Sequence, residues 1–158
     1  MSGLRFAPCD PEDPPASELL AAMRAELNTL YESDRRLDSP ALAPGELRGP
    51  RGTYVVGWDG EQAVAGGGVR HLAEGRAEIK RMYVRPEARS RGVAGQLLAA
   101  LEEAAAGLGY RAVRLDTGPK QAHAQQLYRR AGYVDIAPYN ENPFACYWGE
   151  KALLDPRP

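Results

Sequence analysis

The chain has 158 residues, enough for one domain over 1–158 that buries about 70% of the surface its unfolded form exposes. Its 20 basic and 21 acidic residues give a formal charge of -1, which argues against general nucleic-acid binding through phosphate neutralisation. Cys9 and Cys146 share no metal-ligand spacing and read as reduced thiols, and no apolar run is long enough for a signal-peptide core or a membrane span, so a soluble, cytoplasmic protein is expected.

Leu4 to Pro8 reads as a short edge strand, stopped by the Asp-Pro-Glu-Asp-Pro-Pro run. Ser17 is a candidate N-cap for a helix in which Leu19, Leu20, Met23, Leu27 and Leu30 recur at helical spacing, ending near Tyr31. Residues 32 to 52 lack periodicity and read as a long loop with one short helix, and long loops in compact domains tend to carry function. Thr53 to Trp58 and Ala63 to Leu72 form a hairpin turned at Asp59-Gly60. Gly66-Gly67-Gly68 interrupts its second strand and implies a bulge or tight packing, the alternative being room for a ligand.

A third strand, Ala77 to Val84, follows the Glu74-Gly75 turn, and a helix runs from Val93 to Gly109 with Leu97, Leu98, Leu101 and Ala105 on its apolar face. Arg111 to Asp116 is a strand and Lys120 to Arg130 a helix stopped by Gly132. Tyr133 to Ile136 and Ala145 to Leu154 complete the set. This order predicts a mixed α/β layer rather than a doubly wound sheet. Asp116-Thr117 is expected to cap the following helix, and the isolated His71 and His123 share no metal spacing, so no metal is implied.

The most informative stretch is Arg89-Ser90-Arg91-Gly92-Val93-Ala94-Gly95, between a strand and the start of an amphipathic helix. The free N–H groups of a first helical turn and the helix dipole favour an anion, glycine lets backbone approach a phosphate, and arginine adds charge-assisted contacts. The segment has neither the GxGxxG of a dinucleotide fold nor the GxxxxGK[ST] of a P-loop.

Its Arg-x-x-Gly-x-Ala pattern resembles the diphosphate loop of the Gcn5-related N-acetyltransferase (GNAT) family. Ala77 to Val84 resembles that family's central strand, and Ala124-Gln125-Gln126-Leu127-Tyr128 through Gly132-Tyr133 resembles its A-x-x-L-Y-x-x-x-G-(F/Y) segment. The matches span 77 to 133. The resemblance implies an α/β fold with a central, mostly antiparallel sheet and flanking helices, and acetyl-CoA as acyl donor. Its diphosphate would sit on Arg91, Gly92, Val93, Ala94 and Gly95, with Arg89 nearby, and its pantetheine arm on main-chain groups of Met82 and Val84. Gln121 stands where many relatives carry a cofactor-contacting asparagine.

The same resemblance implies Tyr128 as the acid for the departing thiolate and Glu78 as base. Plain strand alternation places Glu78 on the face of Met82 and Val84. Because an alkyl ammonium near pKa 10 is only about 0.1% neutral at pH 7, such a base is useful. The acceptor is expected to be a small or amino-acid-like primary amine, met by loops 31–52, 66–75 and 137–145. Tyr31, Tyr139 and Phe144 would form an apolar wall, while Asp34, Asp38, Glu141 and Glu78 would attract the amine. A protein N-terminal or lysine acetyltransferase and a non-catalytic CoA-binding module are the alternatives, and a homodimer through the last strands stays open.

Overall fold

The computed structural model describes residues 3–30, 42–118 and 122–153. Its strands are β1 (Leu4–Pro8), β2 (Thr53–Asp59), β3 (Gln62–Ala73), β4 (Arg76–Val84), β5 (Ala112–Thr117), β6 (Val134–Asp135) and β7 (Tyr147–Ala152). The helices are α1 (Ala16–Leu30), α2 (Val93–Gly107) and α3 (Ala122–Arg130), with 3₁₀ turns at Pro44–Leu47 and Pro86–Ala88. The strands form one sheet in the order β1-β2-β3-β4-β5-β7-β6. β4 and β5 run parallel and every other pair is antiparallel.

Two apolar layers sandwich this sheet. On one face, Leu97, Leu98, Leu101 and Ala105 of α2 pack with Val69, Ile79, Val113, Leu115 and Tyr128. On the other, Ala16, Leu19 and Met23 of α1 pack with Leu47, Tyr54, Val56 and Tyr83. The glycine run of β3 lies between them because each position meets a neighbour too closely for a side chain. A Cβ on Gly66 would strike the Tyr54 hydroxyl, one on Gly67 would lie 2.7 Å from Leu101 Cδ1, and one on Gly68 would lie 2.5 Å from Leu47 Cδ2. Tight packing is therefore the role of the run. Helix α1 begins at Ala16, its bonds already starting with Ser17 N to Asp13 O at 2.9 Å, so Ser17 lies inside the first turn and is not the N-cap that its residue type suggested.

Two irregularities of β4 set up the site. Its parallel pairing with β5 covers only Arg76↔Ala112, Ala77↔Val113 and Glu78↔Arg114, although both strands continue, so they splay apart beyond Glu78. Opposite Gly67, β4 also carries an extra residue: Gly66 pairs with Tyr83 but Gly68 with Lys80. The bulge falls at Arg81, whose φ of 61° is left-handed.

Candidate active site

The bulge decides which side chains share a face. Ala77 and Ile79 point to the α2 layer, and after the extra residue Met82 and Val84 do so as well, while Tyr83 turns to the α1 layer. Glu78 pairs directly with Arg70 on β3, on the side of the Pro44–Leu47 turn. It therefore lies on the opposite face from Met82 and Val84. Simple alternation fails here because one inserted residue inverts the parity of everything after it.

On the α1 face Glu78 is fully buried, at 0% exposure, and both its oxygens are engaged. Oε1 accepts from Arg70 Nε at 2.8 Å, and Oε2 accepts from the Tyr139 hydroxyl at 2.6 Å and Asn140 Nδ2 at 3.4 Å, with Lys80 Nζ 3.5 Å away. Asn140 also donates to Asp116 Oδ2 at 2.6 Å and accepts from Trp148 Nε1 at 2.9 Å, while Lys80 Nζ reaches Asp116 Oδ1 at 3.4 Å. Burial first, then the Glu78 carboxylate, pushes the Tyr139 phenol well above its usual range, which keeps it a donor. A buried charge is tolerable when paired and fully hydrogen-bonded, and β3, β5, β7 and the 136–146 loop all contribute to this one. Asp116 belongs to this network on the strand face; the turn before α3 that it was expected to cap lies outside the described residues.

The α2 face carries the other half. Tyr128 of α3 is 7% exposed, its hydroxyl 3.8 Å from Met82 Sδ and its ring stacked on Tyr147 with centroids 6.2 Å apart. Burial is the main reason its phenol is held well above the ordinary value near 10, with Asp116 and Tyr147 adding to it. Arg85 N donates to Val64 O on the β3 side at 2.8 Å, so the main-chain groups of Val84 face the splay. There the Val84 carbonyl accepts from Arg89 Nε at 2.9 Å. Arg89 is held further by the Glu26 carboxylate, at 2.7 and 2.8 Å from Nη2, and it lies over the Tyr83 ring.

Beyond Arg89 the backbone is left-handed at Ser90, φ 65°, and at Gly92, φ 77°, the residue that begins α2. The first helical bond is Gln96 N to Gly92 O, so the N–H groups of Val93, Ala94 and Gly95 have no intrahelical acceptor, and neither a capping side chain nor an acidic residue occupies the first turn. A Cβ on Gly92 would meet open space, so glycine serves its φ there rather than packing. Arg91 is exposed, and no hydrogen bond or ion pair holds it among the described residues. These features fit an anion the size of a diphosphate. Gln121, Tyr31, Asp34 and Asp38 lie outside the described residues.

Thus the structure brings Glu78, Met82, Val84, Tyr128 and the 91–95 cradle around one splay, with Arg89 pinned at its edge. Sequence reasoning did not find Arg70 and Asn140 as partners of Glu78, nor Trp148 behind Asn140. They come from three separate segments and form no motif, and the only hint was the placing of Tyr139 and Glu78 near the same cleft.

A parted parallel strand pair thus carries, on one face, a helix start whose first N–H groups lack intrahelical acceptors and, on the other, a buried, hydrogen-bonded carboxylate. The chain belongs to the acetyltransferase (GNAT) family, whose model matches residues 18–133, and it is an acyltransferase. It is 32% identical over 142 residues to an IAA acetyltransferase of Azospirillum brasilense, covering 86% of this chain and 89% of the relative. A Klebsiella pneumoniae protein described as an acyl-CoA N-acyltransferase superposes with TM-score 0.74 at 30% identity, over 96% of this chain and 98% of that one. An Elizabethkingia anophelis GNAT acetyltransferase with acetyl-CoA bound shares the fold at 17% identity, TM-score 0.68, over 97% of this chain and all of its own (100%).

Proposed function

We propose that the protein moves an acetyl group from acetyl-CoA to the primary amine of a small, amino-acid-like acceptor in the cytoplasm. The observation that carries this reading is the set of first-turn N–H groups of α2 without intrahelical acceptors, beside the edge of β4 that parts from β5. Bound there, acetyl-CoA supplies an activated acyl group as a thioester. Val93, Ala94, Gly95 and Arg91 hold the diphosphate, and Arg89 keeps the loop registered against Val84 and α1. The main-chain groups of Met82 and Val84 align the pantetheine arm along the splay, where a backbone N–H next to the reacting carbonyl contributes about 3 kcal/mol.

Tyr128 keeps its proton at Oη and supplies it to the departing sulfur. Glu78 takes the proton of the acceptor amine on the opposite face, so donor and acceptor approach from the two sides of the sheet and meet between β4 and β5. A carboxylate held by Arg70, Tyr139 and Asn140 stays fixed in position, which favours a reacting geometry maintained without reorganisation. No helix among the described residues is long and apolar enough to cross a membrane.

Calorimetric titration with acetyl-CoA tests the donor site. Wild type is expected to bind, and Gly92→Glu to lose at least about tenfold in affinity, because it places a like charge at the helix start and a side chain at positive φ. Equal affinity in the two proteins would remove the cradle from the reading.

A further inference from the structure

On the acceptor face one charged residue is left over. Arg70 is held by Glu46 and Glu78, Arg89 by Glu26, and Arg114 by Glu150, as arginines in a folded interior ordinarily are. Arg81 has no carboxylate, carbonyl or aromatic partner among the described residues. Arg24, Arg51, Arg91 and Arg111 also lack side-chain partners among the described residues but are exposed, whereas Arg81 is partly buried. Its charge is disfavoured by burial and by a second cation, Arg24 of α1. Two guanidiniums thus lie near one another, with no anion supplied to them by the described residues.

The backbone adds an independent sign. Arg81 occupies the extra position of the β4 bulge with φ 61°, a conformation that is strained for a non-glycine residue. Glycine would relieve that strain, yet an arginine stands here. Its charged neighbour, Arg24, belongs to α1, so the side chain lies toward the α1 layer, three residues along β4 from Glu78.

We propose that Arg81, assisted by Arg24, binds a carboxylate carried by the acceptor, so that the substrates are amines that also bear a carboxyl group, amino acids foremost. The inference rests on the acetyl-transfer reading above and deepens it. Glu78 receives the amine end and Arg81 the acid end of one small molecule, and the planar guanidinium fork matches a carboxylate better than it matches any neutral group. Specificity of this kind is strong because an acceptor lacking the anion leaves a half-buried guanidinium unpaired.

The test compares matched acceptors with and without the carboxyl group: phenylalanine with phenethylamine, histidine with histamine, lysine with cadaverine. Thiol release is measured for wild type, Arg81→Gln, Arg81→Lys and Arg24→Gln, each also titrated with acetyl-CoA and checked by thermal unfolding. Wild type is expected to prefer the carboxylate member of a pair by at least about tenfold in kcat/KM. Arg81→Gln is expected to lose roughly 10- to 100-fold toward that member, mainly in KM, with its decarboxylated partner and acetyl-CoA affinity unchanged. Arg81→Lys keeps the charge without the fork and falls between, and Arg24→Gln, on an exposed helix surface where folding is not at risk, shows a smaller loss in the same direction. Preference for the decarboxylated amines, equal losses toward both members, or no turnover of any pair by wild type that binds acetyl-CoA would overturn the proposal while sparing the donor site. Failure of wild type to bind acetyl-CoA would overturn the acetyl-transfer reading, and this inference with it.

Discussion

Tyr128 and Glu78 are both buried ionisable groups, and their surroundings fit them for opposite tasks. Tyr128 is wrapped in the rings of Tyr133 and Tyr147, and among the described residues its hydroxyl touches only a thioether, so none of them stabilises a phenolate. It is suited to keep a proton until a sulfur anion forms beside it. Tyr128→Phe should therefore lower kcat by on the order of 10²-fold while leaving acetyl-CoA affinity within about twofold, as stopped-assay kinetics and calorimetry would show. The raised phenol also fixes a direction in pH: since the acid form persists above the ordinary tyrosine range, kcat should show no alkaline fall centred at pH 10. A fall centred there would mean that Tyr128 ionises like a solvated tyrosine. Glu78, in contrast, is surrounded by four donors from two strands and a loop, which hold the carboxyl group still. The 0% exposure is tolerable only because those donors are there.

Strand β4 shows how far local pattern carries at the level of an element. The alternation of Ala77, Ile79 and their neighbours, the turn at Glu74-Gly75 and the break at Arg85-Pro86 all announce the strand, and the spacing of Leu97, Leu98 and Leu101 announces α2. The bulge is not announced. Lys80-Arg81-Met82 contains no glycine and no asparagine, the residues that normally advertise positive φ, and the cause of the bulge lies across the sheet in β3. There Gly67 is squeezed between Leu101 and Met82, with an added Cβ at 2.7 Å from the first and 3.3 Å from the second. Gly67→Ala should thus cost about 1 to 3 kcal/mol, measured by urea denaturation, because either α2 must shift away or the bulged residues must move. The paired outcome matters: a displacement of Met82 disturbs the thioether under the Tyr128 hydroxyl, so kcat should fall along with stability. A variant of unchanged stability would show that β3 and α2 pack more loosely than these contacts imply. The Glu78 network was illegible for a different reason. Tyr139 and Asn140 reach it across 61 and 62 residues of sequence, and single-residue contacts at that separation leave no periodic trace.

In the whole molecule the parting of β4 from β5 separates two chemistries that would interfere if they shared a surface. In the proposed reading, phosphates are met by helix amides and Arg91 on the α2 side, the amine by carboxylates on the α1 side, and the gap beyond Glu78 connects them. If a donor occupies that gap as an added strand, its protective effect on backbone exchange must be confined to the two lips of the splay. Hydrogen exchange of the protein with and without acetyl-CoA should therefore slow at Met82 to Val84 and at Val93 to Gln96. Peptides from β1, β2 and the first half of α1 should change only by the global stabilisation, about 2.7 kcal/mol at a ligand concentration 100 times the dissociation constant. The amides at the helix start are the sharper part of this expectation, because Val93, Ala94 and Gly95 have no intrahelical acceptor and exchange freely until an anion accepts from them. Protection at β4 without protection at 93–96 would place the donor in the splay but its diphosphate elsewhere. Protection at 93–96 alone would mean that an anion binds the helix while the arm never enters the sheet, and the two-sided meeting of donor and acceptor would then have to be abandoned.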